Sequence, residues 1–263
     1  MDFAGKVVWI TGATSGIGEA LAYELAGRGA RLVLSARREP QLQTVRQRCQ
    51  YAERHQILSM DMTDSATIPA KVQQVLQTCG HVDVLINNAG ISQRSKVQDT
   101  TLEVDRQLME VDFFGPVALT KALLPSMLER GEGLMVAVSS VAGLIATPLR
   151  SSYCAAKHAL AAFYDAMRAE VHDSGVRVAV IYPGFVRTEI TQNALEGDGS
   201  AHRVLDPKLK TGMAADVFAA QAVAALSRGD ERIMLAGHEK WAVWLGRASP
   251  SLLAKVIRKA KVT

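Results

Sequence analysis

Cysteine and histidine are too few and too scattered here for disulfide or metal chemistry. The three cysteines, Cys49, Cys79 and Cys154, are an odd number without metal-ligand spacing, which fits reduced thiols in a cytosolic setting. The six histidines form no pair at ligand spacing, so no metal is expected. No signal peptide opens the sequence, and no apolar run reads as long enough to span a bilayer. No repeat or low-complexity segment stands out. Outside the C-terminal tail there is no basic motif of the kind that nucleic-acid binding needs. What is left is 263 residues, 48% of them hydrophobic, with a net charge of +4. Those figures describe one cytoplasmic globular domain with ample core.

Apolar runs at Lys6–Thr11, Arg31–Ser35, Gln56–Met60, Val84–Ile86, Leu134–Val138, Val176–Ile181 and Ile233–Leu235 alternate with helical stretches. That alternation predicts an α/β fold, a doubly wound parallel sheet with helices on both faces. Ligands of such sheets bind beyond the carboxyl ends of the strands. Gly12-Ala13-Thr14-Ser15-Gly16-Ile17-Gly18 follows the first strand at once and leads into a helix read from Glu19 to Arg28. Strand, glycine turn and helix in that order put backbone N–H groups where an anion can sit. Gly12 permits a tight turn, Gly16 close approach to a pyrophosphate, and Gly18 close packing of helix on strand. The spacing is not the usual Gly-x-Gly-x-x-Gly, and a structural turn without a ligand is the alternative.

The second strand ends in Ala36-Arg37-Arg38. At this point dinucleotide folds carry a carboxylate for a ribose 2′-hydroxyl or an arginine for a 2′-phosphate. Two guanidiniums without a carboxylate point to NADP(H), through Arg37 more than Arg38. The alternative is that both only solvate the start of the next helix. Further along, Tyr153 and Lys157 stand four apart, on one face of a helix. A free tyrosine ionises near pH 10, and a neighbouring ammonium favours the phenolate. Such a pair can donate and accept a proton. Taken alone, it is also the pattern of an ordinary surface pair.

Together these pieces resemble the short-chain dehydrogenase/reductase superfamily. The resemblance is carried by Thr11 to Gly18, Asp61 in Met60-Asp61-Met62-Thr63-Asp64, Asn87-Asn88-Ala89-Gly90, Ser139-Ser140, Tyr153-Cys154-Ala155-Ala156-Lys157 and Tyr182-Pro183-Gly184. Phe113-Phe114-Gly115-Pro116-Val117-Ala118-Leu119-Thr120-Lys121 is similar to the branch around 11β-hydroxysteroid dehydrogenase. The resemblance implies a Rossmann-type domain over residues 1–240, which binds NADP(H) and carries out catalysis. Residues 241–263 are then read as a basic, amphipathic extension.

It also implies roles. Tyr153 protonates a carbonyl oxygen or takes a hydroxyl proton, Ser140 hydrogen-bonds that oxygen, and Lys157 favours the phenolate and bonds the nicotinamide ribose. Asp61 contacts the adenine, Asn88 supports the cofactor region, and Thr188 reaches the carboxamide. The full implied cofactor set is Gly12, Thr14, Ser15, Gly16, Ile17, Gly18, Arg37, Arg38, Asp61, Met62, Asn88, Ala89, Gly90, Tyr153, Lys157, Pro183, Gly184, Val186 and Thr188. The substrate implied is a small apolar ketone or alcohol, lipid- or steroid-like. Asp112 departs from the pattern, because the family has an asparagine there that anchors a water path to the lysine. An aspartate can still hold a water as part of the catalytic set. It can instead pair with Lys157, or be satisfied by nearby backbone.

Gln192–Thr211 reads as a long loop in the family's substrate region, with Ile190, Leu195 and Val204 as candidate lid residues. The tail has no acid after Glu239 but carries Lys240, Arg247, Lys255, Arg258, Lys259 and Lys261. Trp241, Trp244, Leu245, Leu252, Leu253, Val256 and Ile257 recur in it at helical spacing, broken by Pro250. Packing over the substrate cleft or a partner subunit is the preferred reading, and peripheral membrane contact is the alternative. The helices at Val111–Arg130 and Ser151–Asp173 are apolar over more than one face, which suggests subunit contacts; the resemblance implies that they pair across a two-fold, as a homodimer or homotetramer. Relatives in this branch with an N-terminal membrane anchor have extra residues that are not expected here. The rival functions are 3-oxoacyl thioester reduction and a non-catalytic NADP-binding sensor or scaffold.

Overall fold

Strands that are apolar on both faces must lie inside, and those of this protein divide its core in two. Along β1 (Val7–Thr11) Val8 and Ile10 join one cluster while Val7 and Trp9 join the other. Side chains that alternate across a strand require this. Strand β2 spans Arg31–Ala36, β3 Gln56–Ser59, β4 Val84–Asn87, β5 Gly133–Val138, β6 Val176–Pro183 and β7 Arg232–Leu235. All pair in parallel in the order β3-β2-β1-β4-β5-β6-β7. Each lies within a residue or two of its apolar run. The computed structural model describes residues 1–204, 206 and 211–259, without the side chain of Lys259. Part of the Gln192–Thr211 loop, the Lys259 side chain and Lys261 therefore lie outside the described residues.

Helices cover both faces. On one side α1 (Gly16–Gly27) and α2 (Glu39–Arg48) pack with a helix at Ala215–Arg228 through Leu21, Leu25, Leu42, Phe218 and Val223. On the other, α3 (Ile68–Cys79) packs with helices at Gly115–Arg130 and Ser151–Glu170 through Val72, Leu119, Leu123, Leu160 and Tyr164. This is a single Rossmann-type doubly wound sheet. The strand order reverses between β1 and β4, and that switch point opens a crevice at the carboxyl ends.

The helix expected from Val111 begins earlier. Thr101 caps it by accepting a 3.4 Å hydrogen bond from the Val104 N–H, so α4 runs Leu102–Met109. A π turn at Glu110–Phe114 then joins it to α5 (Gly115–Arg130). The joined helix, Leu102–Arg130, is long and apolar enough by length and composition to cross a membrane, contrary to the reading of the sequence. Glu110 and Asp112 break the apolar run in the sequence but not the helix. Its Leu108, Leu119, Leu123 and Met127 are buried. The chain continues through α6 (Ser151–Glu170), α7 (Ala215–Arg228), α8 (Glu239–Ala248) and α9 (Pro250–Lys259). The boundary expected at residue 240 falls inside α8.

One buried polar knot ties β4 to the helices beneath it. Asn87 Nδ2 donates to Thr120 Oγ1 at 3.0 Å and to the Tyr164 hydroxyl at 2.7 Å. Thr120 and Tyr164 share a further 2.7 Å bond. Burial pushes the Tyr164 phenol up to about 12, and its two partners pull back only in part. Tyr164 is thus a neutral structural hydroxyl. Replacing it with phenylalanine strands the Asn87 donor, and we expect Tyr164→Phe to lose about 1–3 kcal/mol of stability in urea titration with the m-value unchanged.

Candidate active site

Three close approaches shape the nucleotide end of the crevice, and each needs a glycine. Gly12 has φ +66°, and a Cβ there would lie 2.7 Å from the Ala89 Cα. A Cβ on Gly18 would meet the Gly12 carbonyl oxygen at 2.3 Å, and one on Gly16 (φ +60°) the Thr188 methyl at 3.0 Å. Asn88 sutures the two strand ends. Its Nδ2 donates to the carbonyls of Thr11 at 2.9 Å and Gly12 at 3.3 Å. The N–H groups of Asn88 and Ala89 both donate to Thr11 Oγ1 at 3.0 Å.

A cavity of about 910 Å³ runs along the carboxyl ends of the strands. Thr14, Ser15, Gly16 and Ile17 line it from the turn, Arg37 and Arg38 from beyond β2, and Asp61 and Met62 from beyond β3. Asn88, Ala89 and Gly90 line it from beyond β4, and Pro183, Gly184, Val186 and Thr188 from the end of β6 onward. Gly18 stands behind this wall, against Gly12 and Asn88. Asp61 Oδ1 holds its own turn by accepting from the N–H and the hydroxyl of Thr63, both at 2.9 Å. Arg37 and Arg38 are exposed, and neither pairs with a carboxylate among the described residues. Arg38 is also the N-cap residue of α2.

Ser140, Tyr153 and Lys157 line the same cavity at its centre. Ser140 Oγ accepts from the Ala142 N–H at 3.1 Å, which leaves its own proton for a guest. Lys157 is 4% exposed; its Nζ donates to the Val138 carbonyl at 3.3 Å and lies 5.8 Å from the Tyr153 ring centroid. Ser139 Oγ donates to the Lys157 carbonyl at 2.9 Å and so pins α6 to the end of β5.

Asp112 does not reach the cavity. It is fully buried in the π turn behind Gly90, whose Cβ would stand 2.9 Å from Asp112 Oδ1 and 3.1 Å from Lys157 Nζ. Oδ1 accepts from the Ile91 N–H at 2.8 Å, and Oδ2 lies 4.0 Å from Lys157 Nζ with no hydrogen bond. Backbone satisfaction and pairing with Lys157 therefore occur together. Burial pushes the Asp112 carboxyl up to about 6, against the opposing pull of Lys157 and Ile91.

Of the candidate lid residues, Ile190 and Leu195 line the cavity. Leu195 is strapped to the loop after β4, donating to the Ser92 carbonyl and accepting from the Arg94 N–H, both at 2.8 Å. Val204 is exposed and away from the cavity. The tail lays Leu253, Val256 and Ile257 along the cleft and turns Trp241 and Trp244 outward. Sequence reasoning passed over Arg94, Arg150 and Asp206 at the Tyr153 end, and Glu239, which accepts from the Phe185 N–H at 2.8 Å. Two of these carried a signal: Arg94 follows the turn after β4, and Arg150 directly precedes α6.

Residues 6–199 match the family model described as short chain dehydrogenase. Dehydrogenase/reductase SDR family member 7B of Mus musculus is 41% identical over 257 residues, covering 95% of this chain and 80% of that protein. A short-chain dehydrogenase from Streptomyces avermitilis is 31% identical, with a TM-score of 0.82 over 99% of this chain and 100% of that one. A metagenomic short-chain oxidoreductase solved in complex with NADP is 28% identical, with a TM-score of 0.73 over 90% and 99%. Fold and relatives alike define a dehydrogenase/reductase, an oxidoreductase built on a Rossmann-type sheet. The chain belongs to the short-chain dehydrogenase/reductase family.

Asp112 holds its proton more firmly folded than unfolded, where its ordinary value is 3.8. Its ionisation therefore opposes folding: the penalty is absent below about pH 4 and complete above about pH 6. Asp112→Asn keeps the acceptor for Ile91. It should raise stability at pH 7.5 by on the order of 1–3 kcal/mol, and the gain should vanish near pH 4. Thermal melts at the two pH values check this, and an equal gain at both would refute the assignment.

Proposed function

We propose that the protein uses NADP(H) to interconvert a ketone and a secondary alcohol on an apolar, lipid- or steroid-like substrate. The observation that carries this reading is the convergence of Ser140, Tyr153 and Lys157 on the cavity that the glycine turn also lines. The residues present fit the nucleotide. Gly12 and Gly16 let the turn close against Ala89 and Thr188 while its residues line the cavity, the N-terminus of α1 faces the same cavity, and Arg37 and Arg38 line it, able to receive a 2′-phosphate. The metagenomic relative complexed with NADP supports that choice. When bound, the nicotinamide supplies reversible two-electron chemistry at the substrate carbon.

The chain's own residues handle the oxygen and its proton. In reduction Tyr153 donates its phenolic proton to the substrate oxygen, and in oxidation it takes that proton back. Ser140, with its oxygen already engaged by Ala142, donates to the same substrate oxygen and fixes its direction. Lys157 favours the phenolate that the donation leaves behind. Asp112, 4.0 Å from that ammonium, offsets part of its field. Subunit pairing through α5 and α6, with Phe114 exposed in the π turn before α5 and Leu128 exposed on α5, and peripheral membrane contact through Trp241 and Trp244 belong to the same proposal.

Tyr153→Phe should lower turnover of a hydrophobic ketone by about 10²–10⁴-fold while leaving NADPH affinity intact by fluorescence titration. Retained turnover would remove Tyr153 from its role. Arg37→Ala should weaken NADPH by about 10–100-fold and leave NADH nearly unchanged. Equal losses for both nucleotides would sink the 2′-phosphate assignment.

A further inference from the structure

The cavity holds a second pair of arginines, away from the nucleotide end. Arg94 comes from the loop after β4 and Arg150 from the residue that precedes α6, and both line the cavity beside Tyr153. Arg94 is 4% exposed. Its Nη1 donates to the Gln93 carbonyl at 2.8 Å, and its Nη2 lies 3.5 Å from Asp206 Oδ2. Arg150 Nη2 is also 3.5 Å from that same oxygen, and Arg150 Nε is buried without a hydrogen bond. Among the described residues, Asp206 is the one carboxylate within ion-pair distance of either guanidinium.

Two enclosed cations thus share one carboxylate oxygen, both at the long edge of an ion pair. Burying a guanidinium is costly unless opposite charge and hydrogen bonds compensate it. Burial first and Arg150 second push the Arg94 guanidinium down to about 10, against Asp206 and Tyr153. A second anion entering the cavity would offset that cost, and guanidinium forks match both carboxylate and phosphate oxygens. Leu253 and Ile257 of α9 give the same cavity an apolar contribution.

We propose that Arg94 and Arg150 form an anion subsite that receives a carboxylate or phosphate ester carried by the substrate. The substrate class is then an amphiphilic acid: a carbonyl at Tyr153, an acidic group at the arginines and an apolar body against α9. This rests on the reading of the Tyr153 end as the substrate end, and its test is independent of turnover.

The test is calorimetric titration of the protein saturated with NADPH, so that the nucleotide site is filled and no oxidant for an alcohol is present. Decyl phosphate, decanoate and decanol are the probes. The acidic probes should bind at least about tenfold more tightly than decanol. Arg150→Met should abolish that preference, and Arg150→Lys, which keeps charge but loses the fork, should reduce it severalfold. Decyl phosphate ahead of decanoate assigns a phosphate ester, and the reverse assigns a carboxylate. Equal affinity for all three probes overturns the proposal, as does a preference that survives in a folded Arg150 variant. Since the probes are not turned over, a negative result here leaves the Tyr153 assignment standing, and loss of that assignment leaves this result readable.

Discussion

Lys157 carries its charge at 4% exposure, and an ammonium so placed is tolerated only where carbonyls and carboxylates face it. The Val138 carbonyl comes from the end of β5, Asp112 from the π turn, and the Ser139 anchor holds the lysine's own backbone. Gly90 completes the enclosure from beyond β4 by having no side chain to put there. Four segments distant in sequence meet around one nitrogen. They can meet because parallel strands all deliver their carboxyl ends to the same edge of the sheet.

The same edge sorts positive charge by depth. Arg37 and Arg38 stand exposed, where water screens them. Arg94 and Arg150 are enclosed with Asp206, where each charge counts for more and is held in a fixed direction. Tyr153 lines the same cavity as both pairs. One cavity thus gathers four arginines, a buried lysine, Tyr153 and apolar side chains of α9.

What was legible in the sequence was what short segments encode. The β-branched runs marked all seven strands, since a strand buried on both faces shows as a continuous apolar stretch. The glycine turn, Asn88, Ser140, Tyr153 and Lys157 were readable from local spacing, and the structure gathers them along one crevice. What escaped depends on distant partners. Arg94, Arg150 and Asp206 look like ordinary charged loop residues until the fold brings them together. Gly18, read for close packing of helix on strand, does stand packed against Gly12 and Asn88. The start of α4 was missed because Thr101 is one threonine among many until its cap is seen.

The tail shows the same dependence on distant contacts. Read alone, α8 and α9 are amphipathic and basic, and either a cleft or a lipid surface would satisfy that pattern. Pro250 starts a new helix after Ser249 instead of prolonging α8. Gly246 then lets α9 fold back, for a Cβ there would stand 2.7 Å from Leu253 and 3.6 Å from Ile145. That close packing seats Leu253 in the wall of the cavity, while Trp241 and Trp244 of α8 remain outside. An open crevice at a sheet edge would leave the Tyr153 proton in competition with bulk water. The folded-back helix adds Leu253, Val256 and Ile257 to the lining of that crevice, beside the residues that the strand ends supply.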